Sequence, residues 1–196
     1  TNDITLSDVD TANGLITMTA AGAITATDVA AIDGNVSLSA QGLLTATLVS
    51  AIDSAATGLY NVALSTTTGG MNLVSVTADD DLTAAAAAGN ISIGLITAGD
   101  DVTLTSTLGN IAESPVDGTA DVSADLLTVT SSTGINLDTT VNTLNASVTG
   151  TGTITVDETN DITLSDVDTA NGLITITVVG AITATDVVSS TDADAN

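Results

Sequence analysis

The chain has no lysine, arginine, histidine, cysteine, tryptophan or phenylalanine, and it holds a single tyrosine (Tyr60) and a single proline (Pro115). Each absence closes a class of function. Without a cation the chain cannot displace counterions from a phosphate backbone, so nucleic acid is excluded as a partner. An anionic membrane surface is excluded for the same reason. Without cysteine there is neither a disulfide nor a thiolate metal site. Without histidine, cysteine or lysine, a serine or threonine nucleophile has no imidazole to activate it, and thiolate and amine chemistry are missing outright. No apolar run approaches the roughly 20 residues of a membrane span, so no membrane insertion is expected, and no signal peptide opens the chain. Trypsin-like proteases find nothing to cut, which suits an exposed extracellular life.

What remains is acidic yet rich in small apolar residues. The 196 residues include 24 acids, for a formal charge of −24, beside 43% apolar content. Only Glu113 and Glu158 among the acids are glutamate. Acidic disordered chains are poor in apolar residues, so this one is expected to fold. Ordinary domains anchor their cores on aromatics; a core of Ala, Val, Ile and Leu must instead be thin. Thr, Val and Ile favour a pleated surface, which points to an all-β fold.

Internal repetition is the strongest signal, at two scales. Residues 1–17, TNDITLSDVDTANGLIT, recur unchanged as residues 159–175, and AITATDV at 23–29 recurs at 181–187, a lag of 158. This predicts one long tandem unit over 1–158 and the start of a near-identical unit over 159–196, a window on a longer array. The finer lag is 20. GAITATDVAAIDG at 22–34 lies over GLLTATLVSAIDS at 42–54, and DDLTAAAAAGNI at 80–91 over DDVTLTSTLGNI at 100–111. The lag drifts near Pro115, where residues 112–125 read as an inserted loop. Within each unit, short runs of period-two alternation end in Gly, Asn-Gly or Asp-Asp turns, the signature of strands. Ala84–Ala88 has the composition of a helical turn, but its counterpart one repeat later, LTSTL, argues for strand or coil.

A constant lag is what stacked coils require, because each coil must land in register about 4.8 Å above the last. The fold class expected is a parallel β-helix, a β-solenoid of about 20 residues per coil and about ten coils. An array of β-sandwiches is the alternative. The G-x-I-T-x-T coils and Thr- and Asn-rich turns resemble the repeat regions of giant bacterial surface proteins, namely filamentous-haemagglutinin-like adhesins. That resemblance implies right-handed coils and a secreted or cell-surface bacterial protein acting in adhesion, as a stalk or filament. The GGxGxDxUx nonapeptide of calcium-binding toxin repeats is absent.

Acids recur at the coil period: Asp80 and Asp81 precede Asp100 and Asp101 by 20 residues. Stacked carboxylates about 5 Å apart repel by ~1 kcal/mol even at water-like dielectric. With no cationic side chain, either salt screens them or a hard divalent cation binds them. One reading is therefore a Ca²⁺ corner at Asp79, Asp80, Asp81, Asp100 and Asp101; the other is a solvated acidic turn. Glycoside cleavage by paired carboxylates lacks aromatic platforms here, and an acid in every coil looks like a turn solution, so no enzyme is expected. Thr25/Thr27 and Thr45/Thr47 stack like an ice-binding array, but the series breaks after Thr47. Asn35, Asn90 and Asn145 head N-x-S triplets that so Asn- and Ser-rich a chain yields by chance. Tyr60 is as readily a partly buried plug as a contact residue.

Two functions of different class follow. The segment is a passive rod of an adhesin, whose surface ligand binds outside it, or it is itself a self-assembling fibre or sheath, calcium-dependent through its Asp corners. Its partners are accordingly neighbouring tandem repeats or copies of itself.

Overall fold

The computed structural model describes residues 2–55 and 57–190. These residues form strands, turns and bends with no helix. They wind into a β-solenoid of about nine turns, in which every strand pairing is parallel.

The first coil shows why the sequence folds this way. Its strands β1 (Ile4–Leu6), β2 (Val9–Thr11) and β3 (Ile16–Ala20) are separated by Ser-Asp and Ala-Asn-Gly corners. Coil two repeats the arrangement with β4 (Ile24–Ala26), β5 (Val29–Ile32) and β6 (Val36–Ala40). Registers run Ile4 to Ile24, Val9 to Val29 and Ile16 to Val36, the 20-residue lag made physical. Three ladders continue through β7 (Leu44–Ala46), β8 (Val49–Ile52) and β9 (Val62–Thr66), then β10 (Met71–Leu73), β11 (Val76–Ala78) and β12 (Leu82–Ala86). Next come β13 (Ile91–Ile93), β14 (Ile96–Ala98) and β15 (Asp101–Ser106). Ala84, Ala85 and Ala86 thus lie in a strand, in register with Leu104, Thr105 and Ser106.

Alternation puts every second side chain inside. Ile24, Leu44, Leu73, Ile91, Leu104 and Leu127 are fully buried in one continuous core. Burying each such side chain stabilises the fold by about 1.5–3 kcal/mol, and a ladder of like residues packs without aromatics. Three interior hydroxyls are satisfied by corner carbonyls. Thr66 Oγ1 donates to the Gly69 carbonyl at 2.7 Å, Ser106 Oγ to Gly89 at 2.8 Å and Ser131 Oγ to Gly134 at 2.9 Å. The glycines at this corner are fixed by crowding: a Cβ on Gly89 would sit 2.4 Å from the Gly70 nitrogen, and one on Gly69 2.4 Å from the Gly42 carbonyl carbon.

The count is about nine turns rather than ten because two excursions consume chain without adding a rung. Between β8 and β9 the lag stretches to 26, Val36 pairing Val62. Tyr60 lies in this excursion, half-buried against the core. Between β16 (Ile111–Glu113) and β17 (Val122–Ser131) a second excursion leaves the coil, so that Ile96 pairs Val122, again a lag of 26. The expected loop at 112–125 is therefore narrower, since Ala112 and Glu113 close one strand and Val122 opens the next.

Beyond it the corners straighten. β18 (Ile135–Thr151) runs through all three ladders, pairing Ile111, Val122 and Leu127 in turn, and is followed by β19 (Ile154–Glu158). The second copy of the 17-residue segment enters as β20 (Ile162–Asn171), one continuous strand where the first copy forms β1 and β2. Leu164 joins the ladder of Leu144, Leu127, Val102, Leu82, Val62, Val36 and Ile16. The last coil holds β21 (Ile174–Val178), β22 (Ile182–Ala184) and β23 (Val187–Ser189), stacked on β19 and β20.

Candidate metal centre

Asp79, Asp80 and Asp81 form the corner between β11 and β12, and Asp100 and Asp101 the same corner one coil later. Backbone hydrogen bonds lock the two in register: the Asp100 N–H donates to the Asp80 carbonyl at 3.2 Å, and the Asp125 N–H to the Asp100 carbonyl at 2.8 Å. The stack brings carboxylate oxygens of Asp80, Asp81 and Asp100 within 4.8 Å of one another, and likewise those of Asp100, Asp101 and Asp125. Asp125, in β17, is the member that sequence spacing does not reveal, because the excursion before it breaks the lag. Asp79 stands apart from both groups, its Oδ2 accepting the Asp53 N–H. Burial raises the Asp80 carboxyl above its ordinary range, helped by Asp81 and Asp100; burial and the charges of Asp100 and Asp81 do the same to Asp101. Asp100 and Asp125 are exposed and the other three half-buried, so water reaches the corner.

The corner also shows what Asp and Asn do here. The side-chain oxygens of Asn35, Asn61 and Asp81 accept the N–H of Asn61, Asp81 and Asp101 at 2.9, 3.1 and 3.3 Å, each from the coil above. Asn90 Oδ1 does the same for Asn110 at 3.1 Å. Two of the N-x-S asparagines, Asn35 and Asn90, therefore have their side chains in these ladders, and Asn145 buries its carbonyl oxygen without a partner. The outward Thr5, Thr25 and Thr45 ladder passes to Asn72, so the threonine array is short.

A third cluster lies where the second excursion leaves and rejoins the coil. Carboxylate oxygens of Glu113, Asp121 and Asp138 come within 4.8 Å of one another. Unlike the corner, this group is enclosed: Asp121 is 2% exposed and Asp138 8%. Glu113 pairs Ile93 in register, on the ladder that carries Leu6, Ala26, Ala46 and Leu73 inward. A half-buried carboxylate thus stands in register with core residues. Burial is the main cause that raises all three carboxyls, Asp121 to about 7, with Glu113, Asp138 and Asp117 adding repulsion around it. The signal available in the sequence was the acid itself, 20 residues after Ile93 at a position otherwise apolar.

Compared with known protein families, curated proteins and solved structures, the chain matches none. The fold and the acidic clusters are therefore the ground for any functional reading.

Proposed function

We propose that the chain is a structural rod segment of a secreted or cell-surface bacterial repeat protein involved in adhesion, akin to the filamentous-haemagglutinin-like proteins its repeats resemble. The observation that carries this reading is continuity: the second copy stacks on the first, its Ile162–Asn171 strand pairing β18 in parallel through two register shifts, so that tandem units share one stack. A chain built this way grows only in length. Its coils are right-handed on this reading, as the resemblance to filamentous-haemagglutinin-like repeats implies. Nothing in its side chains is assigned a catalytic role, and ligand recognition lies outside the segment.

Electron microscopy of chains carrying one, two and three copies of residues 1–158 tests it. The expected outcome is single rods of constant width lengthening by about 37 Å per copy, at the ladder spacing of about 4.8 Å. Compact particles that grow in all dimensions would sink the reading.

A second reading, assembly of chains end to end, draws on the stacked acids of the Asp80, Asp81 and Asp100 corner. Open strand edges invite such pairing. The charge of −24 opposes it at low salt, and calcium at the Asp80, Asp81, Asp100 and Asp101 corner would relieve that repulsion. Fibres longer than one chain, formed in millimolar calcium and dissolved by chelator, would establish this reading in place of the first.

A further inference from the structure

We propose that Glu113, Asp121 and Asp138 form an enclosed site for a hard divalent cation, calcium in preference to magnesium. The proposal is independent of the rod reading and concerns a different place from the Asp80–Asp101 corner.

Its ground is a shortage of donors. Four carboxylates of the described residues are buried: Asp53, Asp121, Asp138 and Glu158. Two of them show how this chain accommodates a buried acid. Glu158 accepts from the Thr139 hydroxyl at 2.8 Å, the Val141 N–H at 3.2 Å, the Thr159 N–H at 2.8 Å and the Asn160 N–H at 3.1 Å. Asp53 accepts from the Ala55 and Thr57 amides at 2.8 and 2.7 Å and from the Thr57 hydroxyl. Each is wrapped in donors, as a buried charge must be.

The cluster is not. Its three carboxylates receive two hydrogen bonds in all, from Asn136 Nδ2 to Glu113 Oε1 at 2.9 Å and from the Asp138 N–H to Asp121 Oδ2 at 2.9 Å. Glu113 Oε2 is enclosed and accepts nothing, although the Asp117 amide approaches the carboxyl. Among the described residues no donor reaches the Asp138 carboxylate, which is more than nine-tenths buried and turned toward the other two. Three converging acids with orphaned oxygens need positive charge, and the chain has no cationic side chain to supply it.

The backbone holds the three acids in place. The Asp121 peptide is clamped from both sides, its N–H donating to the Asp138 carbonyl at 2.7 Å and its carbonyl accepting the Ile96 N–H at 2.7 Å. Glu113 ends a strand and Asp138 lies within one, so two ligands stand on ladder positions and the third on the clamped end of the excursion. On its Asp138 side the cluster borders a cleft lined also by Gly118, Asp157 and Thr177. The donor set is all oxygen, which selects hard cations over zinc or copper. Calcium accepts irregular shells of six to eight oxygens completed by carbonyls and water, whereas magnesium demands a near-ideal octahedron. Three acids from a strand end, a loop end and a strand interior suit the first.

The test is isothermal titration calorimetry of the metal-stripped full chain with CaCl₂ and with MgCl₂, beside thermal melts in calcium and in chelator. One calcium per chain is expected at this site, with magnesium weaker and a melting midpoint raised by calcium. D121N, D138N and E113Q should each weaken calcium at least about 10-fold and lose the rise in midpoint, while D80N/D100N keeps both. Circular dichroism checks each fold; if D121N departs from the parent spectrum, E113Q, nearer the surface, decides. Absence of calcium heat in the parent overturns the proposal. So does calcium binding that survives in E113Q and D138N, and if that binding vanishes in D80N/D100N the cation belongs at the corner instead.

Discussion

Leu6 and Leu164 occupy the same place in the tandem unit but stand on different ladders of the rod. Leu6 lies beneath Ala26 on the ladder that begins at β1, whereas Leu164 lies on Leu144, in the ladder that begins with Ile16. Correspondingly Ile174, the counterpart of Ile16, sits on Ile154 in the ladder that descends to Ile4. One unit therefore advances by seven coils and part of an eighth: Leu6 to Leu164 adds two faces and Ile16 to Ile174 one, because β20 lays along one face what β1 and β2 divide between two.

In a chain of several copies of residues 1–158, identical positions in consecutive copies face different sides of the rod. Gold labels on Cys introduced by Thr25→Cys in every copy should appear on different sides in electron micrographs. Labels in a single line would show that each unit closes on a whole number of coils.

Removing a core side chain should cost more than its hydrophobicity alone. Leu104 is fully buried, and its neighbour one coil below is Ala84, which cannot fill a gap. Leu104→Ala is expected to destabilise by about 3 kcal/mol in urea unfolding. Leu108→Ala, at a side chain 66% exposed, should stay within about 0.5 kcal/mol of the parent.

The glycine corner is a packing requirement. In Gly89→Ala the new Cβ meets the Gly70 nitrogen at 2.4 Å, and backbone on the coil below cannot swing aside. A loss of about 2 kcal/mol is expected, read as a lowered urea midpoint. Gly118→Ala, which has open space around it but a φ of +72°, should cost about 1 kcal/mol from backbone strain alone.

In chelator, stability should fall as pH rises from about 4 to 8. Asp121 has a folded pKa of about 7 against an ordinary 3.8, so between those values the folded chain holds the proton that the unfolded chain releases. Its stabilising contribution is complete below the lower value and gone above the higher one. Glu113, Asp138 and Asp117 face it and keep its carboxyl raised; Glu113, Asp138, Asp10, Asp80 and Asp101 are shifted upward too, adding the same sign. Asp53 and Asp117 are lowered by bonds from Thr57 and Thr119, and they act oppositely below pH 4. Melts at pH 5 and pH 8 check this; a higher midpoint at pH 8 would refute it.

The sequence by itself determined the coil. Period-two alternation and a lag of 20 are properties of neighbours along one dimension, and a parallel ladder reads them directly: Ile4 over Ile24, Met71 over Ile91 and Leu82 over Val102 need no knowledge of the whole. The Asp80–Asp100 meeting was legible for that reason. What the tertiary structure decided lies wherever chain length and coil length part company. The side chain of Asp79 turns to Asp53, and Asp125 joins Asp100, across excursions that break the lag. Glu113, Asp121 and Asp138 are separated by no repeat interval; they meet because the chain leaves the coil at one corner and re-enters at the same corner. The phase of the second copy is set likewise, by excursions and straightened corners that add up along residues 1–158 and that no single repeat contains.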